Sequence, residues 1–363
     1  MTRDVQSEFG TAGRHAGYSE LLVCPGCNAK LLEHEARLDC SKCGRNWPVR
    51  DGVPHFIEDH PYCGEIPQPQ MREVLKRAAV DSWKEAVTES LEPSVQRAAG
   101  TIFNLDRANW YRLTDLRGGS RVLDVGAGLG TVSHALSLRF QEVVALEPVL
   151  EAVEFMRYRF LQERLGNVVC VRSSVWEIPF PPESFDLVVL NGVLEWIAAG
   201  KEGNPKRLQQ AALDRVFQLV RPGGYVYLGA DNRVSWRSLL GAPDAHCGLP
   251  YVALLPRPLA DLYARRRGHA GGYRNYTYSA SAYRRLLTRA GFAEPQCYAA
   301  IPSYNSPRFY VPLDKKVFSY YSANFDPVRS GFLAGAVHWA CRKVGVSQYL
   351  QNSFVMLAKK EAQ

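Results

Sequence analysis

The sequence predicts an α/β fold: a doubly wound, mostly parallel sheet with helices on both faces, preceded by a small cysteine-rich module. Three observations carry this. An apolar strand at Arg121–Val125 runs straight into a glycine-rich turn and a helical pattern. Strands and helices then alternate as far as residue 228. Four of the nine cysteines form two C-x-x-C pairs near the N-terminus. At 363 residues the chain exceeds the size, roughly 250 to 300 residues, at which single cores stop growing, so one large unit and one small unit are expected.

Composition narrows the class. With 46% hydrophobic and 22% charged residues, and Gly and Pro spread through the chain, the sequence is that of a globular protein rather than a disordered or collagenous one. No stretch approaches the roughly 20 apolar residues of a membrane span, the first twenty residues lack a signal-peptide core, and a cytoplasmic address is the expectation. The remaining cysteines, Cys63, Cys170, Cys247, Cys297 and Cys341, are scattered and odd in number, which argues against a disulfide framework. The net charge of +8 fits an anionic partner, whether nucleic acid, phosphorylated substrate or lipid surface, as well as it fits plain solubility.

Taken in order, the first element is the cysteine module. Cys24-Pro25-Gly26-Cys27 and Cys40-Ser41-Lys42-Cys43 are separated by twelve residues, the pattern in which two tight turns offer four thiolates to one tetrahedral Zn2+. Four Cys ligands leave no open position for water, so the metal is expected to be structural. A thioredoxin-like redox pair would show a single motif beside a βαβ pattern. An Asp51-Gly52 turn and a last apolar strand close the module near residue 58. Leu21-Leu22-Val23-Cys24-Pro25-Gly26-Cys27, the second pair and Trp47-Pro48-Val49-Arg50-Asp51-Gly52-Val53-Pro54 resemble the small zinc-ribbon partner subunit that activates several tRNA and protein methyltransferases. The boundaries expected are a ribbon over 1–60 with its core at 20–58, a Pro-rich linker at 61–70, and a second domain over 71–363 whose first helix begins near Met71.

The second domain opens on Asp124, Gly126-Ala127-Gly128-Leu129-Gly130 and a helix over 131–140. The glycines permit both the turn and a close approach of ligand to backbone. A dinucleotide-binding fold would need glycine at 131, where Thr131 stands. The G-x-G-x-G spacing with Asp124 before it resembles the first motif of class I S-adenosylmethionine (SAM)-dependent methyltransferases, whose Rossmann-like sheet the later elements match. The resemblance implies cofactor contacts at Gly126, Gly128 and Gly130. A strand over 143–146 ends at Glu147, placed to accept hydrogen bonds from both ribose hydroxyls. Val168–Arg172 leads to Ser174 and Val175, where the family contacts adenine; many relatives carry Asp at the place of Ser174. Phe185–Asn191 ends at Asn191, the candidate beside the methionine end of the cofactor. A helix bearing Leu213, Val216, Phe217 and Val220 and a strand over 225–228 complete the pattern.

The insertion over 231–278 is the expected substrate region, because loops beyond the carboxyl ends of the strands carry specificity in such sheets. Within it His246 is the candidate general base, with Asp244 or Glu195 orienting it or serving instead. Arg265-Arg266-Arg267 and Arg274 are candidates to grip a phosphate or carboxylate, or form a solvated helix face. The insertion, with Thr277-Tyr278-Ser279 and Leu286-Leu287-Thr288-Arg289-Ala290-Gly291-Phe292, resembles methyltransferases of bacterial surface glycans and glycosylated natural products. Those relatives often show Glu-Asp-His where this chain has Asp244-Ala245-His246. The apolar segment 332–341 reads as a core or homodimer helix rather than one lying on a membrane, and a last strand is expected over 353–358.

The expected activity is methyl transfer to a hydroxyl or amine of a small molecule, a sugar or glycan, with an anionic acceptor in keeping with the charge. An RNA (tRNA or rRNA) methyltransferase and a non-catalytic methyltransferase-like scaffold are the alternatives. Against RNA, no Asn-Pro-Pro-Tyr motif follows strand four, where the sequence reads Asn191-Gly192-Val193-Leu194.

Overall fold

The computed structural model describes residues 21–64, 66–325, 341 and 343–362. Four short strands, β1 (Leu31–His34), β2 (Arg37–Cys40), β3 (Asn46–Arg50) and β4 (Val53–Pro54), pair antiparallel in chain order. The β3–β4 turn is Asp51-Gly52, both at positive φ (49° and 77°), the left-handed pair that the right-handed twist of a tight hairpin requires.

Three helices follow: α1 (Gln68–Ala78), α2 (Trp83–Ser90) and α3 (Gln96–Phe103). The first begins three residues before Met71, because Pro67 caps it and Pro69 sits in its first turn, where a missing N–H costs nothing. Residues that read as linker composition thus open a helix. Met71, Val74, Leu75, Trp83, Val87 and Phe155 form one buried cluster beneath them.

The large sheet has eight strands: β5 (Arg121–Val125), β6 (Glu142–Glu147), β7 (Val168–Arg172), β8 (Phe185–Asn191), β9 (Val220–Asp231), β10 (Ala293–Ile301), β11 (Phe309–Pro312) and β12 (Ser353–Lys359). Their order is β11-β10-β12-β9-β8-β5-β6-β7. β5 is parallel to β6 and β8, and β6 to β7, whereas β12 is antiparallel to both β9 and β10. Val122, Leu123, Val143, Val144, Val188 and Val189 are wholly buried, as strands covered on both faces must be. β9 begins at Val220, earlier than the 225 expected, and so runs through the Pro-Gly-Gly stretch that reads as a turn.

The chain groups into two compact units, Met1–Val189 with Gln218–Gly224, and Leu190–Phe217 with Tyr225–Gln363. The first adds α4 (Thr131–Ser137), shorter than the helix over 131–140 expected, and α5 (Leu150–Gln162). The second holds α6 (Pro205–Leu219) up to Phe217, then α7 (Trp236–Leu239), α8 (Arg257–Arg266), α9 (Ala280–Ala290) and α10 (Lys315–Asn324). Residues 332–340 of the apolar C-terminal segment lie outside the described residues. Among the described residues no helix is long and apolar enough to cross a membrane.

Candidate active site and metal-binding module

The glycine loop is built from the end of β5 to the start of α4. Gly126, Gly128 and Gly130 all hold positive φ (66°, 56° and 74°). Their duties differ. A Cβ at Gly128 would meet nothing within 4 Å, whereas one at Gly130 would stand 2.7 Å from Phe160 and 2.8 Å from Met156. Gly128 therefore borders open space suited to a ligand, and Gly130 lets α5 close under the loop. The N–H groups of Gly126 and Ala127 donate to the Leu146 carbonyl, tying the loop to β6.

Glu147 ends β6 and is 5% exposed. Its Oε2 accepts from Gly128 N–H at 2.8 Å and its Oε1 from Val149 N–H at 3.0 Å, so the carboxylate is fixed against the loop. Each oxygen keeps a second lone pair for a ribose hydroxyl. Burial pushes its carboxyl up to about 7, against the pull of those two N–H groups. Asp124 is 1% exposed and accepts from the Ser133 hydroxyl at 2.6 Å. It ties β5 to α4 beneath the loop, and burial raises it to about 6.

Arg159 of α5 has no signal in the sequence, yet it braces this loop. The side chain is wholly buried, donates to the Leu129 carbonyl and the Thr131 hydroxyl at 3.0 Å each, and lies 4.5 Å over the Trp83 ring. Ser174 is engaged locally: its hydroxyl donates to Glu177 and accepts from Trp176 N–H, which shapes the turn after β7. Val175 is buried beside it.

In the second unit, Asn191 at the end of β8 accepts from the Tyr227 hydroxyl at 2.9 Å, while its Nδ2 is buried without a partner. An orphan donor of this kind suits an acceptor atom on a ligand. Glu195, Asp244 and His246 come together as one cluster, joined by Asp231, the last residue of β9. Asp231 carries no site signal in the sequence: read along the chain, it is only the first residue of the insertion.

Glu195 is wholly buried; Oε1 accepts from Asp231 N–H at 3.0 Å and Oε2 has no partner. Asp244 Oδ1 accepts from the N–H groups of His246 and Cys247 and stands 3.3 Å from His246 Nδ1, an ion-pair distance at an angle too poor for a hydrogen bond. The His246 side chain is only 5% exposed and its ring packs against Trp196, centroids 5.2 Å apart. Burial drags its pKa down, but Asp244, Glu195 and Asp231 outweigh it and carry it up to about 9. Burial and then Glu195 push Asp231 up to about 7. Arg274 is committed elsewhere, donating to the carbonyls of Ala198, Lys201 and Gly203, and Arg265 bonds Asp261 and the Ala270 carbonyl.

The four module cysteines lie within 4.8 Å of one another, with Sγ–Sγ distances of 3.6 Å for Cys24–Cys43 and 3.4 Å for Cys27–Cys40. Tetrahedral Zn–S bonds would separate the sulfurs by roughly 3.8 Å. The module is fastened to the sheet by its own end: Phe56 N–H donates to the Arg172 carbonyl, Val23 N–H to the Pro179 carbonyl, and His55 pairs in parallel with Arg172 on β7. The Arg172 guanidinium returns to the Glu58 carbonyl at 2.9 Å and lies 3.3 Å from His55 Nδ1.

A strand-ending carboxylate is locked to a three-glycine loop on a doubly wound, Rossmann-like sheet, and residues 123–228 match the methyltransferase domain family. The chain is 32% identical over 143 residues to an uncharacterised methyltransferase of Mycobacterium tuberculosis, covering 38% of this chain and 53% of that one. The chain thus spans about half the length of the curated relatives it matches. Among solved structures it is similar to a SAM-dependent methyltransferase from Archaeoglobus fulgidus (14% identity, 74% of this chain and all of that one, TM-score 0.44). It is also similar to phosphoethanolamine N-methyltransferase 2 of Haemonchus contortus in complex with SAM (16%, 72% and 53%, TM-score 0.42).

Proposed function

We propose that this chain is an active methyltransferase that moves a methyl group from SAM to a hydroxyl or amine of a small molecule, a sugar or glycosylated metabolite. The observation that carries the reading is the Glu147–Gly128 bond beside open space, a cradle any side chain at 128 would fill. Bound SAM supplies a sulfonium methyl that an in-line nucleophile can take. Around it, Gly126, Gly128 and Gly130 admit the cofactor to the backbone, Glu147 holds the ribose, Ser174 and Val175 form the adenine turn, and Asp124 with Arg159 keeps the loop rigid. Asn191 Nδ2 is assigned to the methionine end.

Acceptor chemistry is assigned to Glu195, Asp231, Asp244 and His246, which follow the carboxyl ends of β8 and β9, where doubly wound sheets bind ligands. As the acceptor's lone pair forms the new O–C or N–C bond, the C–S electron pair passes to sulfur, and the proton the acceptor loses passes to a carboxylate of this cluster. The N-terminal cysteines are assigned one structural Zn2+, which their sequence spacing and their sulfur separations of 3.6 and 3.4 Å fit. The ribbon occupies residues 20–58, and the methyltransferase domain with its insertion over 231–278 follows the linker.

An RNA acceptor is the second reading. It is favoured by the second unit, where 22 Lys and Arg face 10 Asp and Glu, a net of +12 against −4 for the rest. Calorimetric titration with SAM and S-adenosylhomocysteine, then methyl-transfer assays on RNA and on a glycan and glycosylated-metabolite panel, separates these. No cofactor binding by folded protein would leave only a scaffold.

A further inference from the structure

Three of the four cluster residues present metal-ligand chemistry that proton transfer alone does not require. One carboxylate oxygen each from Glu195 and Asp231 and one imidazole nitrogen of His246 lie within 4.8 Å of one another. Two carboxylates and an imidazole on one side suit a divalent ion that tolerates mixed N/O donors, such as Mn2+ or Fe2+, and leave positions open.

Two further observations point to a ligand. Glu195 is wholly buried, and its Oε2 has no partner although it is a group that costs several kcal/mol to leave bare. Counting Asp244, three acidic side chains gather around one imidazole, so the cluster holds more negative than positive groups with no Lys or Arg bonded to it among the described residues. Asp244 Oδ1 stands 3.3 Å from His246 Nδ1 and accepts from the His246 backbone N–H, which fixes the stretch of loop that carries the imidazole.

We propose that Glu195, Asp231 and His246 bind a divalent cation, with Asp244 as the positioning residue behind His246, and that the open positions take the oxygen of the acceptor. The acceptor class is then narrowed to hydroxylated molecules, above all vicinal diols of sugars, which can offer two oxygens to one ion. The cation draws electron density from the hydroxyl, whose proton goes to the Asp231 oxygen not on the metal as the O–CH3 bond forms and the C–S pair returns to sulfur. The ligand set stands on geometry alone; the acceptor rests on the methyl transfer proposed above.

The test uses the full chain with its ribbon zinc in place and Mn2+ as the probe, titrated by electron paramagnetic resonance. Tight binding of about one Mn2+ per chain is expected, with affinity lowered at least tenfold in Glu195→Gln and Asp231→Asn. Pulsed spectra of the wild type should show nitrogen coupling from a directly bound imidazole, a readout that needs no variant to fold. Absence of Mn2+ binding, variants that bind as tightly as wild type, or a spectrum without imidazole nitrogen would each overturn the site. SAM titration run alongside keeps the two readings apart. SAM binding and methyl transfer that persist in chelator without bound Mn2+ would remove the cation and leave the methyltransferase; bound Mn2+ without transfer to any hydroxylated acceptor would leave the site and remove the acceptor assignment.

Discussion

Individual residues divide between those a motif makes legible and those only packing reveals. Gly126, Gly128 and Gly130 stand out in the sequence because a tight left-handed turn constrains residue type through dihedral and size, and Glu147 because it ends an apolar strand; Arg159 and Asp231 do not, because burial under a loop or at a strand's end leaves no spacing signature. Gly128→Arg should abolish SAM binding in calorimetry while circular dichroism still reports a folded chain: its Cβ meets open space, and the left-handed backbone costs about 1–3 kcal/mol of stability. Gly130→Ala should instead destabilise the fold by about 1–3 kcal/mol in denaturant melts, because the left-handed backbone and the Phe160 contact both resist a methyl. In the ribose-holding role proposed for it, Glu147 makes cofactor affinity pH-dependent. Its folded carboxyl sits near about 7, so the anion that two ribose hydroxyls require is lost as pH falls through that value. SAM should bind up to roughly tenfold more weakly at pH 6 than at pH 8, and Glu147→Gln should bind weakly with a flat profile. In the cofactor-free protein the sign reverses. A raised carboxyl stabilises the fold below its unfolded value near 4.5, and that contribution disappears as pH rises through about 7.

Elements were legible wherever apolar runs met punctuation. β5, β7 and β8 lie where the sequence expects them because buried parallel strands are short apolar blocks ended by glycine or polar turns. α1 starts three residues before the expected Met71 because proline serves both linkers and first turns, and β9 five before the expected 225 because Pro-Gly-Gly imitates a turn. What no spacing could show is how the ribbon is fastened. Arg172 ends β7, is 5% exposed, and joins His55 and the Glu58 carbonyl to the sheet. Arg172→Ala should cost about 1–3 kcal/mol and make the 59–66 segment cleavable in limited proteolysis, with ribbon metal retained. An unchanged digestion pattern would show that the strand pairing suffices without the guanidinium.

At the scale of the molecule, charge is sorted rather than spread: the +8 of the chain is the remainder of +12 and −4 on its two units. A hydroxylated acceptor that also bears phosphate or carboxylate should therefore show a KM that rises with ionic strength, whereas kcat stays level. Cys24→Ser should release about one zinc per chain, by metal analysis, and lower the melting temperature of the whole first unit. That loss would reach beyond metal content. β7 is the last strand of the large sheet, and the pairing of His55 and Phe56 with Arg172 occupies backbone groups on its outer side. A protein shortened to begin after the ribbon would leave the Arg172 end of that rim unpaired and open to strands of other copies, so it should aggregate more readily on concentration than the full chain. The ribbon is then a guard against self-association, whatever else it does for the chemistry beside it.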